Sequence, residues 1–323
     1  MAFQYPEEQQ TLQETFRKSL EALCSSAFIR EMRTAPSNAE AVVTLFSDLG
    51  FADYLQDESC SIIDLMLVAK ECGRTLCPMG PFYAAYATAT ARRLLGISLV
   101  DDAFVDIAAN LRGAPHFLRS AQVAAAFVIG EEGLLAPQFH VAYSTVEALR
   151  EHSSIDITEP SYTAISKEQR ALSATDAQKL QHELCILTTA ELAGIGEKIL
   201  EVTNDYVKVR KQYGKPIASF QAVQHQLAEV LMKLESAWAL CEVAAEQVKD
   251  GSSGASFAAR ASLAYAARHV PDMIEICLQL HGGIGFTWEY DLHLFLRRAL
   301  KLQALAGLSE SALIALCENT SSG

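Results

Sequence analysis

The stretch 210–224, RKQYGKPIASFQAVQ, sets Arg210, Lys211 and Lys215 around Gly214 and Pro216. Cations gathered at one joint can hold an anion, or they can simply complement the carbonyl end of a helix dipole. In a chain whose formal charge is −13 the cluster needs an explanation. A second stretch, QLHGGIGFTWEY at 279–290, places Gly282 beside Gly283. Paired glycines let main chain approach a ligand closely. The GGIG run follows a helical pattern, so the strand–turn–helix context of a dinucleotide-binding βαβ unit is lacking.

The flanking segments must position these residues. Leu192, Ile195, Ile199, Val202, Tyr206 and Val209 recur every three or four residues, one apolar stripe of an amphipathic helix. Lys208, Arg210 and Lys211 fall in its last turn, with Gly214 suited to C′ and Pro216 to a helix stop. Phe220, Val223, Leu227, Val230, Leu234, Trp238 and Cys241 continue the period to about Lys249, where KDGSSG breaks it. A third helix spans Phe257 to Leu280, with Pro271 as a candidate kink. Residues 188–281 therefore read as three long antiparallel helices with short joints, most of a helix bundle. On these features alone RKQYGKP is a capped turn.

Residues 6–100 also read as helical: PEEQQTLQETFRKSLEAL opens with Pro and Glu, which suit a helix N-terminus. SIIDLMLVAKECGRTLCP and PFYAAYATATARRLLG give two more helices. Between 101 and 170 the pattern changes to short β-branched or aromatic runs, AQVAAAFVIG, GLLAPQFHVAYSTV and SSIDITEPSYTAI, divided by Gly, Pro and Ser. The expected organisation is mainly α with a small β-domain: helices over 1–100, a reduced β-domain over 101–170 and a helical bundle over 171–323.

Composition excludes several classes. Half of the 323 residues are hydrophobic, enough for a large core. The acidic balance argues against nucleic acid, and no apolar run reaches the length of a membrane span. MAFQYPEEQQ lacks the basic and apolar regions of a signal peptide. Eight scattered Cys without clustered His fit reduced core thiols in a cytoplasmic protein, with no metal site.

With that order in place, RKQYGKPIASFQAVQHQLAEV resembles the C-terminal-domain signature of acyl-CoA dehydrogenases. QLHGGIGFTWEY resembles the family's second signature, and LFLRRAL follows where the family has an Arg-containing helix. FSDLGFADYL and LMLVAKECGRTLCP share the cadence of its N-terminal half. The resemblance implies a helical domain, a β-domain and a four-helix bundle. It further implies FAD and oxidation of an acyl-CoA thioester to the 2,3-enoyl-CoA, a carboxylate removing the α-proton while the flavin takes hydride from the β-carbon. It makes electron-transfer flavoprotein a partner. The family shares each FAD between subunits. Arg210 would meet the pyrophosphate, where a guanidinium fork suits two phosphate oxygens. Tyr213 would pack beside it. Gln279, Gly282 and Gly283 would approach the ADP portion, and Ile217, Phe220 and Val223 would wall the adenine side.

Other family features are missing. The TEP at Thr158–Pro160 stands at the end of the β region, where the family has such a loop at the beginning, and both Trp residues lie in C-terminal helices. Aligned from LRRA, the base-bearing motif becomes LAGL (305–308), with Ala306 at the Glu position and Leu308 at a flavin-contacting Thr. A second subgroup's base aligns with Leu184. Glu183, one residue away, is rotated by about 100° and reads as a solvated or capping carboxylate. Glu289 reads as structural. These losses resemble the shortened subunit of heterotetrameric (α2β2) acyl-CoA dehydrogenases of bacterial steroid side-chain degradation. The alternatives are a self-sufficient homo-oligomeric enzyme using Glu183, and a non-catalytic acyl-CoA-binding or structural protein.

Overall fold

The computed structural model describes residues 4–32, 38–96, 104–111, 114–116, 123–130, 132–136, 139–152, 155–156, 158, 161–288 and 290–318. Helices α1 (Glu7–Leu23), α2 (Ser26–Glu31), α3 (Asn38–Asp48), α4 (Phe51–Tyr54), α5 (Ile62–Thr75) and α6 (Gly80–Leu95) come first. Phe16, Phe46, Phe51 and Phe82 from four of them meet at ring-centroid distances of 5.1–6.4 Å. A capping box starts α5: the Ser61 N–H donates to Asp64 Oδ2 at 2.7 Å, satisfying an amide the helix cannot. Helix α7 (Ala174–Val209) is 36 residues long, and Ser173 caps its start.

The crossing of α5 and α7 is unusually close, and two glycines permit it. A Cβ on Gly73 would lie 2.1 Å from the Glu191 carbonyl oxygen, and one on Gly194 would lie 2.0 Å from that of Lys70. Charges line the same seam. Arg17 reaches the fully buried Glu71 at 2.8 Å, and Arg74 joins Glu197 at 2.6 Å to Glu201 at 2.9 Å.

Strands β1 (Phe104–Leu111), β2 (Ala114–His116), β3 (Val123–Ile129), β4 (Val141–His152) and β5 (Ser161–Ala171) form one sheet in the order β2-β1-β3-β4-β5. Among the described residues only β1 and β3 pair in parallel. Two expectations need correction. Strands β4 and β5 are 12 and 11 residues long, longer than the punctuated sequence suggested. The segment opening GLLAPQF forms no strand over 133–136; it is a buried turn, for reasons given below.

The bundle is completed by α8 (Gln221–Lys249), α9 (Ala255–His281), α10 (Leu292–Ala306) and α11 (Glu310–Glu318). Helix α9 runs through Pro271, which has no N–H to give the carbonyl of Ala267. The Gln303 side-chain amide donates to that oxygen at 2.7 Å and replaces the missing bond. The fold is mainly helical with a small sheet. Cys24, Cys60, Cys72, Cys77, Cys185, Cys241 and Cys277 are free, and all but Cys60 are buried. Among the described residues no helix is long and apolar enough to cross a membrane, and no His/Cys/Asp/Glu group could hold a metal ion.

Candidate functional site

The joint after α7 is a hairpin, which corrects the expected helix cap. Arg210 closes the helix with an extended backbone, and its N–H donates to the Tyr206 carbonyl. Strands β6 (Lys211–Gln212) and β7 (Lys215–Pro216) then pair around a two-residue loop. Tyr213 (φ 51°) and Gly214 (φ 80°) both have positive φ, as a type I′ turn requires. Gly214 is thus a turn residue and not C′ of the helix. Positive φ in a tyrosine is strained, and this side chain is 93% exposed, so no packing recovers the strain. Tyr213 sits edge-on to Phe220 at 6.2 Å, and Lys215 Nζ lies 4.5 Å from the same ring. Ile217 and Val223 are half-buried beside them. The Arg210 guanidinium is exposed and has no partner among the described residues.

The second stretch lies at the same end of the bundle. Gln279 is exposed on the last turn of α9, and Gly282 (φ 65°, ψ −148°) turns the chain in a conformation essentially closed to other residues. Gly282 and Gly283 are exposed, with open space where a Cβ would stand. Parallel helices α7 and α9 end together, and the Tyr206 ring stacks on the His281 ring at 4.3 Å. Two stretches about seventy positions apart in the sequence so lie at one end of the bundle and form a largely exposed, glycine-bearing surface that carries Arg210. Its donors fit a phosphate-bearing group: a free guanidinium fork and open main chain are what a pyrophosphate needs. Thr158, by contrast, is buried and donates its hydroxyl to Asp156 Oδ1 at 2.6 Å, so it is committed to the core; Glu159 and Pro160 lie outside the described residues.

The two positions at which the resemblance would align a base are closed. Glu183 is neither solvated nor a cap: Tyr86 donates its hydroxyl to Glu183 Oε2 at 2.5 Å, and Arg93 Nη2 lies 3.3 Å from the same oxygen. Burial, reinforced by that carboxylate, holds the Tyr86 hydroxyl well above its ordinary pKa, so it stays a donor. Leu184 is buried. Ala306 is fully buried, because the turn 133–136 is pressed onto the end of α10. The Leu134 and Leu135 amides donate to the carbonyls of Leu305 (3.1 Å) and Ala306 (2.9 Å). A Cβ on Gly307 would lie 1.9 Å from the Glu132 carbonyl oxygen, and one on Gly133 would lie 2.7 Å from that of Leu305. Leu308 is half-buried, and Glu289 lies outside the described residues.

Sequence reasoning passed over the side chains that hold this turn. Buried Gln181 donates to the carbonyls of Leu134 (2.8 Å) and Ala136 (3.2 Å), and buried Arg260 donates to that of Leu135 (3.1 Å). Burial pushes the adjacent Cys185 thiol up to about 12 although Arg260 opposes it, which removes it as a nucleophile. Arg298 was noticed only as part of LFLRRAL. It is fully buried, paired with Asp156 and with Glu191 (3.0 Å), and donates to Thr158 Oγ1 at 2.8 Å. Polar residues inside otherwise apolar helix faces were the available signal.

Residues 177–319 match the model of the acyl-CoA dehydrogenase C-terminal domain. The acyl-CoA dehydrogenase FadE34 of Mycobacterium tuberculosis is 39% identical over 127 residues, 38% of this chain but only 17% of that protein. The acyl-CoA dehydrogenase IpdE2 of the same organism is 27% identical over 305 residues, 91% of each. Among solved structures, a chain of the ChsE4–ChsE5 complex from Mycobacterium tuberculosis has a TM-score of 0.80 at 17% identity, covering 100% of both chains. A chain of a variant Tcur3481–Tcur3483 steroid ACAD has a TM-score of 0.79 at 19% identity, covering 98% of this chain and 99% of that one. At such identities the likeness shows the fold.

Proposed function

Since the chain has the acyl-CoA dehydrogenase fold and carries that family's C-terminal domain, we propose that it is a subunit of a heteromeric FAD-dependent acyl-CoA dehydrogenase forming a 2,3-enoyl-CoA. It supplies the ADP-side contacts while a second acyl-CoA dehydrogenase subunit supplies the base and the flavin-ring pocket. One observation carries this reading. The Arg210 and Gly282–Gly283 surface is open and without a partner among the described residues, whereas the position at which the family's base aligns, Ala306, is fully buried under the chain's own turn.

On this reading Arg210 neutralises the pyrophosphate with its planar fork, and Tyr213 packs beside it. Gly282 and Gly283 bring main chain to the ADP portion next to Gln279, while Ile217, Phe220 and Val223 flank the adenine. FAD, when bound, supplies the hydride acceptor; this chain's residues only hold and orient its distal half. A heterotetrameric (α2β2) assembly is supported by the fold shared with a chain of a two-component complex. A steroid side-chain acyl-CoA as substrate is supported by the fold shared with a steroid ACAD. Electron-transfer flavoprotein as electron acceptor and a cytoplasmic location complete the proposal.

The competing base is Glu183, which would first have to leave Tyr86 and Arg93. Glu183→Gln tests it in the assembled complex. Turnover within a few-fold of wild type is expected. A fall nearer the 10²–10⁴-fold typical of losing a general base would place catalysis in this chain and overturn the division of labour.

A further inference from the structure

The proposed cofactor surface is built from two stretches on different helices, so something must fix their separation. The Tyr206 ring lies 4.3 Å from the His281 ring at an interplanar angle of 19°, and its hydroxyl donates to the His281 carbonyl at 3.3 Å. Tyr290 closes the cluster, edge-on to Tyr206 at 5.9 Å and to His281 at 5.4 Å. His281 is 4% exposed; its Nδ1 donates to the Cys277 carbonyl at 2.9 Å, and Nε2 has no hydrogen-bond partner among the described residues. A ring held by its faces and by one nitrogen has little freedom left.

The position of this cluster gives it a consequence. The His281 carbonyl shares a rigid peptide plane with the Gly282 N–H, which itself donates to the carbonyls of Leu278 and Gln279. Tyr206 therefore grips the first peptide of the glycine turn from the carbonyl side. Tyr206 also stands four residues before Arg210, on the same face of α7. One side chain thus spans from the helix that ends in the guanidinium to the peptide that opens the glycine turn.

We infer that Tyr206 is a positioning residue for the ADP half of the cofactor, setting the distance between Arg210 and the Gly282–Gly283 main chain through its stack on His281. Tyr206 makes no contact with the cofactor itself. This rests on the cofactor reading above, and the two can fail separately. Binding two phosphates at once requires both halves of the surface in register, so loosening Tyr206 weakens the advantage of having Arg210 at all.

The experiment is a double-mutant cycle on the assembled complex, titrating FAD into flavin-stripped protein and measuring Kd, with urea midpoints for every variant. Tyr206→Leu is expected to weaken FAD binding about tenfold, and Arg210→Ala roughly tenfold to a hundredfold, with unchanged subunit stoichiometry. The double variant should be weaker than Arg210→Ala by much less than the Tyr206→Leu factor, since the two act as a unit. Tyr206→Phe keeps the stack, loses only the hydroxyl bond, and should cost a few-fold; it also decides the matter if Tyr206→Leu does not assemble. Wild-type Kd in both Tyr206 variants, or strictly multiplicative losses, would overturn the positioning role while leaving the cofactor reading intact. Wild-type Kd in Arg210→Ala would instead overturn the cofactor reading itself.

Discussion

Two regions of the C-terminal bundle are built in opposite ways. Where α7 and α9 end, Arg210, Tyr213 and Gln279 are exposed, Tyr213 holds positive φ, and the main chain at Gly282–Gly283 faces open space. Where α10 ends, Ala306 is sealed, and glycines 133 and 307 interlock two backbones with no room for a methyl group. Packing explains the second region fully. It does not explain the first, where an exposed tyrosine holds positive φ and the Arg210 guanidinium has no partner among the described residues. The difference teaches that glycine is used for opposite purposes in one domain: to let this chain's own backbone in, and to leave space for something else.

Substitutions that treat both regions alike should therefore give opposite results. Gly307→Ala drives a methyl into the Glu132 carbonyl and also requires φ near 67° from a non-glycine residue. A loss of more than about 4 kcal/mol, or failure to fold, is expected from urea denaturation. Gly283→Ala meets nothing within 4 Å and should leave stability within about 0.5 kcal/mol, while weakening flavin retention by the complex. Equal stability losses at the two positions would erase the contrast.

Next in size is the buried cation beneath the sealed region. Arg298→Met removes the buried cation paired with the carboxylates of Asp156 and Glu191 and should cost about 3–5 kcal/mol. Its readout is the urea midpoint, and an unchanged midpoint would mean that α10 and the β region are held together by apolar contacts alone.

Much of the frame was legible in the sequence, because period and punctuation are local. The stripe from Leu192 to Val209 and the break at KDGSSG mark α7 and α8, and the apolar period of SIIDLMLVAKECGRTLCP marks α5. What was not legible depended on contacts across the chain. Pro271 looked like a kink because Gln303 could not be foreseen as the replacement donor. GLLAPQF reads as the start of a strand because Gln181, Arg260 and the end of α10, which hold it as a turn, are all distant in sequence. Gly214 looked like a helix cap because the αL preference of glycine is shared by caps and I′ turns. Glu183 reads as solvated in the sequence because its partners Tyr86 and Arg93 lie on another helix.

The smallest expected effect lies on the α5–α7 seam. Burial raises the pKa of Glu197, but Lys70 and Arg74 outweigh it and bring the value below the ordinary carboxylate range; Lys198 and Arg74 do the same for Glu201. Carboxylates depressed in the folded state contribute stability that is fully present above their unfolded pKa, about 4.3, and lost as pH falls through the folded value. Melting temperature should hold from neutrality to about pH 5 and decline below it, with a shallower decline in Glu197→Gln. An identical acid limb in that variant would remove the seam from the account.

The open region carries the central claim, and flavin content reads it directly. Flavin absorbance of the assembled complex after gel filtration should correspond to one FAD per pair of unlike subunits. Arg210→Ala should lose most of it on the column, with subunit stoichiometry unchanged on the same fractions, because a charge-assisted bidentate contact is removed at roughly 1.5–3 kcal/mol per bond. Arg210→Lys should recover only part, as a point charge cannot reproduce the fork. Full flavin occupancy in Arg210→Ala would contradict the account and leave the hairpin as no more than the end of a helix.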